Sequence, residues 1–160
     1  MKDQVRAQTR PSRPFYSRVR ASNLPAEDHA FLRLEVDVIY TTPQETLAAM
    51  VLAAALAKKL NAEINLLAVQ LVPYQLELTR PLARIEYLEK RFRDFASKAP
   101  IETHVHILLC RDKLQALREA LKPHSLVVMG AGRRWWPTPE KKLARGLRQD
   151  GHHVFLARGK

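Results

Sequence analysis

The sequence predicts an α/β fold, a doubly wound parallel sheet of five strands with helices on both faces. Three observations carry this. Strand-like and helix-like stretches alternate strictly from residue 31 onward; the connections between them are short; and the stretches 64–72 and 125–130 are near-continuous apolar runs, as in strands covered on both sides. Strict alternation of this kind implies right-handed crossovers, and so parallel neighbours.

The elements follow in order. Leu34-Glu-Val-Asp-Val-Ile-Tyr40 alternates and is β-branched, which suits a strand. Thr42 then supplies a capping hydroxyl, Pro43 suits a first helical position and Glu45 completes a capping box, so a helix is expected from Pro43 to about Leu60. Lys58 and Lys59 complement its carboxyl end, and Asn61 can adopt the left-handed cap. Its run Leu47–Ala57 is apolar for eleven residues, short of the ~18–20 that a hydrocarbon core demands. Ile64–Val72 is the second strand. After a connection at 73–80, a helix beginning near Pro81 places Leu82, Ile85, Leu88, Phe92 and Phe95 on one face, and Pro100 ends it. Ile101, Thr103, Val105, Ile107 and Leu109 alternate with polar residues as a third strand. Asp112 caps a short helix holding Leu114, Leu117, Ala120 and Leu121, which Pro123 stops. Ser125–Gly130 is a buried strand. Thr138-Pro139 repeats the cap-plus-proline start for a helix with Leu143, Ala144 and Leu147, and Gly151 turns the chain into the last strand, His153–Ala157.

Residues 1–28 are expected to be a flexible basic arm rather than an element, and 29–160 to be one domain. Arg6, Arg10, Arg13, Arg18 and Arg20 are spread among Pro11, Pro14 and Pro25, with too little apolar content to offset the entropy of ordering. With 160 residues, 46% hydrophobic and 27% charged, the chain is long enough to bury a core without staples. A single cysteine, Cys110, excludes an intrachain disulfide framework and a Cys-clustered zinc site. The first residues lack the apolar core of a secretory signal, and the expected location is cytoplasmic.

The net charge of +11 is unevenly placed. Residues 1–30 carry +3 and residues 31–110 carry zero, whereas residues 111–160 hold twelve basic and four acidic side chains, a net +8. Such an excess suits a nucleic acid, an anionic membrane surface or a phosphate-bearing ligand.

Residues 31–158 resemble a universal stress protein. The likeness rests on Val36-Asp-Val-Ile-Tyr-Thr-Thr-Pro43, the Ala/Leu-rich stretch Leu47–Leu60, Asn61–Val69, the corner Leu126-Val-Val-Met-Gly-Ala-Gly132, and the final pair Lys141–Arg148 and Val154–Arg158. The resemblance implies sheet order 3-2-1-4-5, homodimerisation through the last strand and a role in stress response or regulation without catalysis. The nucleotide-binding branch of that family carries Gly-x2-Gly-x9-Gly-[Ser/Thr] after the fourth strand, where backbone amides cradle phosphates. Here Gly130 matches the first glycine, but Arg133 stands at the second and Gly132 lies one residue early. The closing pair falls near Glu140-Lys141, and Thr41 stands where the family usually ends its first strand in an acid. Binding of ATP in the usual family manner is therefore not expected, and no cofactor is assigned.

Ligands of such sheets bind beyond the carboxyl ends of the strands, where the strand order reverses. The candidate ligand residues on that rim are Thr41, Thr42, Gly130, Gly132, Arg133 and Arg134. The two arginines lie just before a helix start, where the dipole favours anions, and paired guanidiniums can grip a phosphate bidentately. Trp135 and Trp136 can stack a base; the plainer alternative is that one tryptophan packs beneath the loop and the arginines are solvated. The partners this suggests are a nucleotide or other phosphate-bearing ligand and a second copy of the chain. Six basic residues between Arg133 and Arg148, opposed only by Glu140, also admit a basic adaptor docking on nucleic acid or an anionic membrane-associated partner.

Other chemistry is thin. His104 and His106 share a strand face, but no carboxylate or cysteine cluster completes a metal site, and His152 and His153 point to opposite faces. Cys110 suits a small buried thiol. No nucleophile elbow or paired-carboxylate signature is present, so no catalytic residue and no metal ligand is assigned.

Overall fold

Local chemistry sets the limits of the elements in the computed structural model, which describes residues 15–20, 34–74, 85–133 and 136–159. Thr42 is the N-cap of helix α1 (Pro43–Leu60), its hydroxyl accepting from the Glu45 amide at 3.3 Å. Asn61 closes the same helix in the left-handed region at φ 50°, as the Asn after two lysines predicts. Asp112 caps α3 (Lys113–Ala120) through the Gln115 amide at 2.8 Å, and Thr138 caps α4 (Pro139–Gln149) through the Lys141 amide. The remaining helix, α2, spans Ile85–Ala96.

Around them run β1 (Phe15–Arg20), β2 (Glu35–Ile39), β3 (Glu63–Leu71), β4 (Thr103–Cys110), β5 (Leu126–Ala131) and β6 (His153–Arg158). Their order in the sheet is β1-β4-β3-β2-β5-β6. The five strands β2 to β6 are parallel and, counted among themselves, lie in the order 3-2-1-4-5.

One strand departs from the expectation. Within the segment read as an arm without elements, β1 pairs antiparallel with β4, from Phe15 opposite Leu109 to Arg20 opposite His104. Its ladder uses main-chain groups, which need no apolar periodicity, and it covers the row of N–H and C=O groups that β4 would otherwise present as an open edge. Phe15, Tyr16 and Val19 are residue types that favour a strand. The other residues of the arm, like the helix start expected near Pro81, lie outside the described residues.

The sheet separates two apolar layers. On one face α1 and α2 bury Val36, Val38, Ile64, Leu66, Val105 and Ile107. Ala49, Ala53 and Ala57, four residues apart, give α1 a smooth stripe that lies close against the strands. On the other face α3 and α4 cover Ile39, Leu67, Leu108, Val127 and Met129 with Leu117 and Leu147.

Asp37 also faces this second layer and is 6% exposed. Burial pushes its carboxyl above the ordinary carboxylate range, partly opposed by a hydrogen bond from Asn65 Nδ2 at 3.0 Å. Because its folded-state value is raised, protonation favours the fold: between the ordinary aspartate value and the raised one, stability falls as pH rises. Asp37→Asn keeps an oxygen for Asn65 and removes the buried charge. Thermal unfolding across a pH series should show the variant with the higher Tm at neutral pH, and the difference should close once unfolded aspartate is protonated. A variant less stable than the parent at pH 7 contradicts the assignment.

Candidate functional site

Strand β2 lies between β3 and β5, and the connections from these neighbours lead to opposite faces, so a crevice opens at their carboxyl ends. A cavity of about 380 Å³ occupies it. Its apolar walls are Ile39 from β2, Val69 from β3, Leu114 from α3 and Leu143 from α4. Thr41, Asp112, Lys113, Glu140 and Lys142 supply the polar lining. The first turns of α3 and α4 both border the cavity, so two positive helix ends converge there. Asp112 Oδ1 already accepts the Gln115 amide.

The residues singled out in the sequence fall into separate places. Thr41 lines the cavity; its amide donates to Thr46 Oγ1 at 3.0 Å and its hydroxyl makes a long hydrogen bond, 3.5 Å, to the Gly130 carbonyl. This ties the end of β2 to the end of β5. Thr42 caps α1 and is not among the lining residues. Gly130 sits against the backbone of Glu45, and Gly132 against the Glu45 carboxylate. The two glycines read as candidate ligand residues therefore face an acid on the first turn of α1. Arg133 is exposed and outside the cavity lining, and Arg134 lies outside the described residues.

Trp136 is 80% exposed and so does not pack beneath the loop; Trp135 lies outside the described residues. On α4, Lys142 and Arg145 are exposed, while Arg148 also donates to the Val154 carbonyl at 2.8 Å. The outer face of the helix is thus partly committed to holding β6. His104 approaches Glu63 at 3.5 Å. Among the described residues, no three His, Cys, Asp or Glu side chains converge as metal ligands would. Cys110 is buried, and that burial pushes its thiol above its ordinary value, which makes it a poor nucleophile. Among the described residues no helix is long and apolar enough to cross a membrane.

Sequence reasoning located the rim but missed most of the cavity. Val69, Lys113, Leu114, Lys142 and Leu143 come from three elements whose meeting no spacing reveals. Asp112 and the residues after Thr138 carried a legible signal, but as helix starts only. Two such starts at carboxyl ends of strands were the available clue.

No protein-family model matches the sequence, and no curated protein matches it. Solved structures do. The universal stress protein from Archaeoglobus fulgidus in complex with dAMP superposes with a TM-score of 0.53 at 14% identity, over 81% of this chain and 100% of its own. A universal stress protein in complex with cAMP gives 0.50 at 13% identity, over 80% and 98%. The chain has the universal stress protein fold. A further structure of a universal stress protein from Archaeoglobus fulgidus agrees, with a TM-score of 0.51 at 11% identity over 81% of this chain. The universal stress protein fold accounts for the 3-2-1-4-5 order of β2 to β6, and hence for a crevice on either side of β2.

Proposed function

We propose that the protein is a non-catalytic, universal-stress-protein-type binding protein whose rim cavity takes a nucleoside monophosphate rather than ATP in the usual family manner. The observation that carries this is the cavity at the reversal of strand order: about 380 Å³, lined by Ile39, Val69, Leu114 and Leu143 together with the polar Thr41, Asp112, Lys113, Glu140 and Lys142. That volume lies within the ~300–1,000 Å³ of small-molecule sites. Ile39, Val69, Leu114 and Leu143 suit a flat base, while Lys113 and Lys142 suit a phosphate. The solved relatives in fold that hold dAMP and cAMP each carry a ligand with one phosphate. Glu45 at Gly132 disfavours a longer, more negative phosphate chain at that corner. The Thr41 hydroxyl is directed at a backbone carbonyl rather than at a base, which supports binding over catalysis.

Calorimetric titration with AMP, cAMP and ATP tests this. The expected result is saturable binding of a monophosphate, ATP binding no more tightly, and a loss of about tenfold in a Lys113→Ala/Lys142→Ala variant. A chain that binds none of the three overturns the reading. Chromatography of the same mixtures should return the nucleotide unchanged, and conversion would remove the non-catalytic half.

The edge strand β6, with Phe155 44% exposed, is the proposed surface for a second copy. Light scattering on the same samples should give twice the 18.3 kDa chain mass; the chain mass itself rejects the dimer.

A further inference from the structure

The other side of Tyr40 holds a second concavity. Helix α2 turns Phe92 and Phe95 toward the sheet, while its outer positions carry Lys90, Arg91 and Asp94, and Lys98 follows in the turn after it. Between this helix and Pro43, at the start of α1, lies a groove of about 390 Å³. It is as large as the rim cavity and lies on the opposite face of the sheet.

Its floor is aromatic. The Tyr40 ring meets Phe92 edge to face at 4.9 Å and 80°, and Phe95 at 5.7 Å and 85°. Its hydroxyl accepts from Arg91 Nη2 at 3.3 Å, and the same guanidinium lies 5.8 Å from the Phe92 ring centre. Tyr87, 65% exposed, forms an open aromatic wall. Around these rings stand three cations, Lys90, Arg91 and Lys98, against one acid, Asp94.

We propose that this groove is a second ligand site, for a small aromatic oxyanion: a flat ring bearing one carboxylate or one phosphate ester. The half-buried rings of Tyr40 and Phe95 and the exposed ring of Tyr87 favour a flat aromatic guest over an aliphatic chain. The net positive border favours an anion, and Arg91 already stands over the floor with a planar fork suited to two oxygens. Neither the cations nor the rings suffice alone; the groove places them within one ligand's length. Tyr40 borders both concavities, but Tyr87 and Lys98 line only this one, so they report on it separately.

The test uses the full chain, titrated with phenyl phosphate and with phenylacetate by calorimetry and by amide-resonance mapping. Inorganic phosphate and benzyl alcohol serve as the anion without a ring and the ring without an anion. At least one aromatic anion should bind saturably and about tenfold more tightly than either control, with shifts centred on α2; which of the two binds distinguishes carboxylate from phosphate. Tyr87→Ala and Lys98→Ala, both at exposed positions, should each weaken it about fivefold, and Arg91→Ala more. Lys113→Ala/Lys142→Ala should leave it unchanged, which separates this site from the rim cavity. The proposal is overturned if neither aromatic anion binds, if a control binds equally well, or if both Tyr87→Ala and Lys98→Ala leave the affinity as it was.

Discussion

Gly130→Ala should lower stability by about 3 kcal/mol or more, a large loss for the addition of one methyl group. A Cβ at Gly130 would stand 2.2 Å from the Glu45 carbonyl oxygen, 2.4 Å from its carbon and 2.5 Å from the Glu45 Cβ. Two of these three atoms are backbone in the first turn of α1, so no rotamer change relieves the contact. Either α1 lifts from the end of β5 or the strand bends away, and both moves disturb the Thr41 hydroxyl contact to Gly130 at the edge of the rim cavity. Denaturant unfolding should show a lower midpoint with an unchanged slope. Gly132→Ala is the matched control. There the atom in the way, at 2.9 Å, is Glu45 Oε1, the far end of a flexible side chain. Its cost should be below about 1 kcal/mol. Equal losses at the two glycines would show that the corner is not built on close approach of the α1 backbone.

Phe92→Ala is expected to cost about 3–5 kcal/mol, as deletion of a fully buried aromatic ring does. Phe92 is 1% exposed and belongs to the layer that α1 and α2 form on the sheet. It also supplies one of the two rings against which Tyr40 packs edge to face. Its loss opens a cavity beneath α2 and frees Tyr40, so the aromatic-anion groove loses its floor together with the stability. Phe92→Leu keeps most of the volume and should cost less than half as much, again by denaturant unfolding. If alanine and leucine cost the same, ring packing rather than volume dominates at this position.

How far the sequence reached can be followed residue by residue. Thr42, Pro43 and Asn61 bound α1 where they were expected to, because caps depend on hydrogen bonds within a few residues. The apolar run 64–72 became the interior strand β3, and the strand order implied by the family resemblance is the order found. The candidate site was legible more dimly. Thr41 does line the cavity, but Gly132 meets a carboxylate and Arg133 stands outside the lining. Glu45 was legible only as a capping residue, because nothing in its spacing shows that residue 45 touches residues 130 and 132. The strand β1 was missed for a related reason. Pairing with β4 across some ninety residues satisfies backbone groups, and the arm's charged, proline-spaced composition does not register that.

By itself, then, the sequence determined the elements from β2 onward, their alternation and the edge of the sheet where the cavity opens, since each follows from chemistry local to the chain. Tertiary structure alone decided which strand and helix ends converge. It enclosed the cavity with Val69, Leu114 and Leu143, set Glu45 against the glycine corner, and gathered Lys90, Arg91 and Lys98 around the groove that Tyr40, Phe92 and Phe95 line. These meetings depend on packing between residues distant in sequence, and the energy that selects them is shared across the whole core rather than written at any one position.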